Sequence, residues 1–196
     1  MCVLRPMRIV VAITGATGAI YGIRLLQALQ VAGVTTELIV SKWARVTIEQ
    51  ETDFSYAEVA AMADVVHASG DVSASISSGS ARIDAMVVCP CSMKTLAGIR
   101  SGYSDNLVLR AADVTLKERR KLVLVARESP LSEIHLENML GLCRMGVVIL
   151  PPMPAFYNRP HSIDDIVTHT VARILDSLGV EHELSKRWQG LDQAGD

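Results

Sequence analysis

The sequence predicts a doubly wound α/β domain, a mainly parallel sheet with helices on both faces. Two observations carry this reading. Five short runs, Arg8–Ile13, Thr36–Val40, Ala85–Cys89, Lys121–Val125 and Val147–Leu150, are rich in β-branched residues and almost continuously apolar, as strands are when both faces of a sheet are covered. Stretches with helical spacing separate them, and strands alternating with helices imply parallel pairing through right-handed crossovers, a Rossmann-like arrangement.

Taken in order, Met1–Pro6 reads as a loose leader, and residues 7–196 as one domain. After the first strand, Ile20, Ile23, Leu26 and Leu29 form an apolar stripe at helical spacing. Residues 53–84 are less regular: Tyr56–Ala63 has a helical pattern, and Ser69–Ser80 is rich in Ser and Gly, as loops are. Leu107, Ala111, Val114 and Thr115 mark another helix ahead of the fourth run. The last helix carries Ile163, Ile166, Val167, Val171, Ile174 and Leu178, with Ser162 as N-cap, Asp165 in the first turn and Gly179 at the C-terminal end.

At 196 residues the chain suits a single core. Its formal charge of -2 supplies no broad cationic field for nucleic acid or anionic lipid, so any anion must be held by a local site. No apolar run approaches the ~20 residues that span a bilayer, and Met1–Met7 lacks a signal-peptide core, which together predict a soluble cytoplasmic protein. The four cysteines (Cys2, Cys89, Cys91, Cys143) form no C-x-x-C pair and read as buried or loop thiols. The five histidines show no metal-ligand spacing, so no metal site is expected. Hydrophobic residues make up 49% of the chain and aromatics only 4%; this aliphatic surplus points to buried subunit contacts.

In an open parallel sheet ligands bind outside the carboxyl ends of the strands, and here those five segments gather small, hydroxylic or charged residues. They read Thr14-Gly15-Ala16-Thr17-Gly18-Ala19, Ser41-Lys42-Trp43, Pro90-Cys91-Ser92-Met93-Lys94-Thr95, Ala126-Arg127-Glu128-Ser129 and Pro151-Pro152-Met153-Pro154-Ala155-Phe156-Tyr157. Gly15 and Gly18 suit either a plain tight turn or a helix N-terminus that receives an anion. Ser92 and Thr95 are ordinary caps or ligand contacts. A dinucleotide fits poorly, because Tyr21 stands where a further glycine would and the second strand ends in Ser41-Lys42 rather than an acid. With no G-x-x-x-x-G-K-[ST] loop either, a mononucleotide with one phosphate fits better. Arg110, Lys117, Arg127 and Arg173, with Tyr157, make a second, cationic group that is a set of solvated side chains or a ligand clamp. Glu51 and Glu128 are surface carboxylates or acid–base groups.

These tracts, with Tyr21-Gly22, Glu51-Thr52-Asp53, Ser77-Ser78-Gly79-Ser80, Arg110-Ala111-Ala112-Asp113-Val114 and Leu116-Lys117-Glu118, resemble the UbiX/Pad-type flavin prenyltransferases from about Met7 to Trp188. Ser41-Lys42-Trp43-Ala44 and Pro151–Asn158 are most similar to the branch associated with phenolic-acid decarboxylases. The resemblance implies a metal-independent transfer of dimethylallyl from dimethylallyl monophosphate to N5 and C6 of reduced FMN. The product, prenylated FMN, would serve a separate UbiD-type decarboxylase in aromatic acid decarboxylation. It further implies that Gly15, Ala16, Thr17, Ser41, Ser92, Met93, Lys94, Thr95 and Arg127 hold FMN. Lys117, Tyr157 and Arg173 would grip the prenyl phosphate, and Arg110 would support it across a subunit boundary in a homododecamer. Glu128, and second Glu51, would handle the proton, with Trp43, Met93 and Trp188 as water-excluding walls. Thr17 replaces the more usual Ser and keeps its hydroxyl.

Two rival readings exist on a similar fold. A flavoprotein that itself decarboxylates a peptidyl cysteine is expected to carry P-x-M-N-x-x-M-W and P-A-S-A-N-T, where this chain has Pro152-Met153-Pro154-Ala155 and Pro90-Cys91-Ser92-Met93-Lys94-Thr95; direct decarboxylation of an aromatic acid belongs to the same class. A flavin carrier would have no use for the cationic clamp.

Overall fold

The computed structural model of the protein describes residues 5–185. Six parallel strands form one sheet in the order β3-β2-β1-β4-β5-β6. They are β1 (Arg8–Ile13), β2 (Thr35–Val40), β3 (Val65–Ala68), β4 (Ala85–Cys91), β5 (Lys121–Ala126) and β6 (Val148–Ile149). The helices are α1 (Ala19–Val31), α2 (Lys42–Glu51), α3 (Tyr56–Ala60), α4 (Met93–Ser101), α5 (Leu107–Lys117), α6 (Glu133–Arg144) and α7 (Ile163–Leu178). The chain runs outward from β1 to β3 and then crosses to β4 on the other side, so the direction of winding reverses between β1 and β4. That is where an open α/β sheet leaves a crevice.

Alternation along the strands separates two cores. Ile9, Val11 and Ile13 face α1, α2 and α7, while Val10 and Ala12 face α4 and α5. On α1 the stripe Ile23, Leu26 and Leu29 is fully buried, each side chain worth about 1.5–3 kcal/mol of apolar burial. Gly22 lets α1 lie against the sheet, since a Cβ there would stand 2.4 Å from the Cys89 carbonyl. The last helix is bounded as its sequence requires: Ser162 and Asp165 form a reciprocal capping box, and Gly179 closes the helix at φ 76°.

The structure departs from expectation in five places. A sixth strand, β3, lies at the sheet edge; it is only four residues long, and Val65 and Val66 are 37% and 40% exposed, so neither length nor alternation marks it. The helix expected over Tyr56–Ala63 ends at Ala60, and the loop Ser69–Ser80 contains a short 3-10 turn at Ser75–Ser77. Ile163, placed in the apolar stripe of α7, is 81% exposed, and the buried stripe begins at Val167. Arg5, in the expected leader, makes a two-pronged pair with Asp84 at 2.6 and 3.1 Å. Cys2 and Trp188 lie outside the described residues.

Candidate active site

The crevice between β1 and β4 is bridged by one buried hydroxyl. Thr14, 2% exposed, donates from Oγ1 to the Pro90 carbonyl at 2.7 Å and accepts from the Ser92 amide at 2.9 Å. These bonds fix the loop after β1 against the start of α4. Beside them opens a cleft of about 350 Å³ lined by Thr14, Gly15, Ser41, Lys42, Trp43, Ser69, Ser92, Lys94, Thr95, Asn106 and Val108. A Cβ on Gly15 would stand 2.5 Å from that of Trp43, so the first loop passes this wall only as glycine.

Three helices begin at the cleft, each with its own cap. Ser41, Ser92 and Asn106 accept from Ala44, Thr95 and Leu109, at the starts of α2, α4 and α5. None of the three has an acid in its first turn, although α3, α6 and α7 all do. Instead Lys42 and Lys94 stand in the first turns of α2 and α4. A cation at a helix N-terminus opposes the helix dipole, at a cost of about 0.3–1 kcal/mol each. No lining residue is acidic. Positive potential without an internal counter-charge is the arrangement an anionic ligand stabilises.

The first helix differs. Glu51, at the end of α2, accepts from the Gly18 and Ala19 amides at 2.7 and 3.2 Å and so caps α1 with a carboxylate. Tyr21, half-buried one turn along, is raised above the usual phenol range mainly by burial and then by Cys89, against the opposing pull of Arg127. Arg127 therefore lies near this end of β4, and its amide donates to the Cys91 carbonyl at 3.2 Å. Burial likewise pushes the Cys89 and Cys91 thiols far up.

Of the residues expected to contact flavin, Gly15, Ser41, Ser92, Lys94 and Thr95 line the cleft. Ala16 and Thr17 follow Gly15 on the same loop and Met93 begins α4, none of them lining the cleft, Met93 being nearly buried at 9%; Arg127 follows β5, whose loop contributes no lining residue. Thr14, Lys42, Ser69 and Asn106 are additions. Asn106 was legible as a polar residue immediately ahead of an apolar helical stripe, whereas Ser69 follows the strand that sequence missed.

The cationic group divides. Arg110 and Lys117 lie on α5, whose core faces α4 and one side of the sheet; Arg173 lies on α7, on the other side with α1. Arg110 donates to the Ser77 carbonyl at 3.1 Å and to Asp113 at 2.8 Å, and Lys117 pairs with Glu118. Arg173 pairs with Asp176 at 2.8 Å, and Asp176 accepts from His182 at 3.2 Å. Tyr157 follows β6 and meets the His169 ring of α7 edge-on, centroids 6.0 Å apart. Lys117 is thus separated by the sheet from Tyr157 and Arg173 and does not join them within one chain. Glu128 is exposed and accepts from the Ser129 amide at 3.1 Å.

A larger groove of about 500 Å³ runs between α1 and α7, away from the carboxyl ends of the strands. It has mostly apolar walls, and its lining includes the acids Asp164, Glu181 and Glu183, where the cleft has none. Among the described residues no cluster of His, Cys, Asp and Glu could hold a metal ion, and no helix is long and apolar enough to cross a membrane.

Comparison with known proteins agrees with the cleft's chemistry. Residues 3–175 match the family described as Flavoprotein. A probable UbiX-like flavin prenyltransferase of Escherichia coli O157:H7 is 64% identical over 96% of both chains. Among solved structures, AnUbiX (PadA1) in complex with FMN and dimethylallyl pyrophosphate superposes with a TM-score of 0.95 at 55% identity, covering 96% of this chain and 100% of that one. A dodecameric FMN-dependent UbiX-like decarboxylase from Escherichia coli O157:H7 gives 0.92 at 63% identity, covering 94% and 100%. At this identity and coverage, with the same sheet and an anion-seeking cleft at its switch point, the chain belongs to the Flavoprotein family and, within it, to the UbiX-like flavin prenyltransferases.

Proposed function

We propose that this enzyme joins the dimethylallyl group of dimethylallyl monophosphate to N5 and C6 of reduced FMN, releases phosphate, and passes the prenylated flavin to a UbiD-type decarboxylase. The observation that carries the flavin part is the uncompensated positive edge of the sheet, where three capped helix starts, Lys42 and Lys94 converge with hydroxyls and no acid. Ser41, Ser92, Lys94 and Thr95, with Thr14, Lys42 and Asn106, suit one phosphate and a polyhydroxylated chain. Gly15, Ala16, Thr17, Met93 and Arg127 would complete the site around the ring. Reduced flavin supplies the nucleophilic centres; the protein supplies position, dryness and charge.

Breaking an allylic C–O bond leaves negative charge on phosphate oxygens, which fixed Arg, Lys and Tyr donors stabilise more than they stabilise the ground state. Tyr157 and Arg173 stand together on one face of this chain, and Arg110 and Lys117 on the other. A complete clamp therefore takes Tyr157 and Arg173 from one subunit with Arg110 and Lys117 from another. The exposed apolar side chains of α6 and its approach, Leu131, Ile134, Leu136 and Leu140, offer a surface for such contacts. Glu128 and Glu51 are the candidates to hold the proton. Only Glu51 is tied to the β1–α1 loop, through the Gly18 and Ala19 amides.

Mass spectrometry of the flavin, after incubation of the protein with reduced FMN and dimethylallyl monophosphate, tests the reading. A flavin heavier by one prenyl unit is the expected result. Unchanged flavin, or carbon dioxide released from an aromatic acid by this chain alone, would overturn it in favour of a flavin carrier or a direct decarboxylase.

A further inference from the structure

The segment between β6 and α7 has no regular secondary structure over residues 150–162, yet it must present Tyr157 to the prenyl phosphate on the reading above, on which this inference rests. Its far end is secured by the α7 capping box, where Asp165 accepts from the His161 and Ser162 amides at 2.8 and 2.9 Å. Around Tyr157 itself two side-chain contacts converge on one ring. The Tyr157 ring meets His169 edge-on, 6.0 Å between centroids at 87°, and the next residue, Asn158, places its side-chain nitrogen 2.9 Å from His169 Nδ1. An amide N–H is a donor, so Nδ1 accepts and the ring proton sits on Nε2.

His169 is also placed to set a distance. It precedes Arg173 by one turn, and four residues of α-helix advance about 6 Å. The same ring that holds Tyr157 is thereby locked to the backbone that carries Arg173. Tyr157 is 61% exposed and lies in an irregular segment, so a ring contact from α7 narrows the rotamers open to it.

The geometry points to His169 as a positioning residue, one that fixes Tyr157 relative to Arg173 so that both donors meet the prenyl phosphate. It does not touch the reacting atoms; it acts through Tyr157 and Asn158.

Steady-state kinetics on His169→Ala, Tyr157→Phe and the double variant test this, with FMN affinity measured by titration for each. His169→Ala should lower kcat about tenfold, with KM for dimethylallyl monophosphate and FMN affinity changed much less, the pattern of a hold made chiefly in the transition state. In the Tyr157→Phe background the same substitution should add little, because residues acting through one contact are not additive. His169→Phe keeps an aromatic ring but loses Nδ1, and together with Asn158→Ala it should reproduce part of the kcat effect without loss of folding. An equal increment in both backgrounds, or an unchanged kcat in His169→Ala while Tyr157→Phe lowers it, would overturn the inference alone. An unchanged kcat in Tyr157→Phe would overturn the phosphate-grip reading and this inference with it.

Discussion

Replacing Thr14 by Val keeps the shape of the side chain and removes one hydroxyl at the point where the two halves of the sheet meet. That hydroxyl donates to the Pro90 carbonyl at 2.7 Å and accepts from the Ser92 amide at 2.9 Å. The Pro90 carbonyl keeps a second, longer donor, the Thr14 amide at 3.3 Å. The Ser92 amide loses its acceptor. Two hydrogen bonds at about 1 kcal/mol each, plus an unsatisfied donor costing about 1–3 kcal/mol, give a loss of about 3 kcal/mol once overlap is removed. With a urea slope of about 2–3 kcal/mol/M, the midpoint should fall by about 1 M. The comparison must be made at one protein concentration, because the stability of an oligomer depends on it. Thr14→Ser is the control, since it keeps the hydroxyl and sheds only a methyl. FMN titration supplies the second reading: freed from Thr14, Ser92 no longer holds the start of α4 against the β1 loop, and affinity should drop with stability. A Thr14→Val protein as stable as Thr14→Ser, with the same FMN affinity, would refute the idea that this bridge organises the cleft.

Arg173→Ala should keep FMN bound while prenyl transfer falls at least ~100-fold, the size expected for one donor to a developing anion; single-turnover absorbance with reduced FMN checks both halves. Gly22→Ala should destabilise by about 1–3 kcal/mol or more through overpacking, because its Cβ would stand 2.4 Å from the Cys89 carbonyl; thermal melts against wild type measure it. Cys89 and Cys91 should resist thiol reagents in the native protein and react on denaturation, since both are fully buried with thiols held well above their ordinary range. Asp165 is held below its ordinary carboxylate value first by the His161 amide and then by Ser162. A depressed pKa contributes stability above the unfolded value that is lost as pH falls through the folded one, so the protection of amides at the start of α7, measured against their intrinsic exchange rates, should fall on acidification below about pH 4 and Asp165→Asn should flatten that dependence.

The sequence by itself determined the alternation of strands and helices, because apolar periodicity is local and each strand buried on both faces has to be apolar along its length. It also determined the caps at Ser162 and Gly179 and offered Ser92 as one, because capping chemistry spans only a few residues. The same locality located the cofactor edge, because the segment after every strand is contiguous in the chain, while Gly15, Ser41, Ser92, Lys94 and Thr95 were singled out within it by the family resemblance. Tertiary structure alone decided what depends on distant residues meeting. β3 exists because β2 offers it an edge, not because Val65–Ala68 carries a strong pattern. Glu51 became the cap of α1 only because the end of α2 returns to the β1 loop, and Thr14 became a bridge only because β1 and β4 are neighbours across the switch point. The division of the cationic group is of the same kind. Lys117, Tyr157 and Arg173 read as one grip, with Arg110 reaching it across a subunit boundary, but the sheet lies between Lys117 and the other two, and only the handedness of the crossovers decides on which side of it each helix packs.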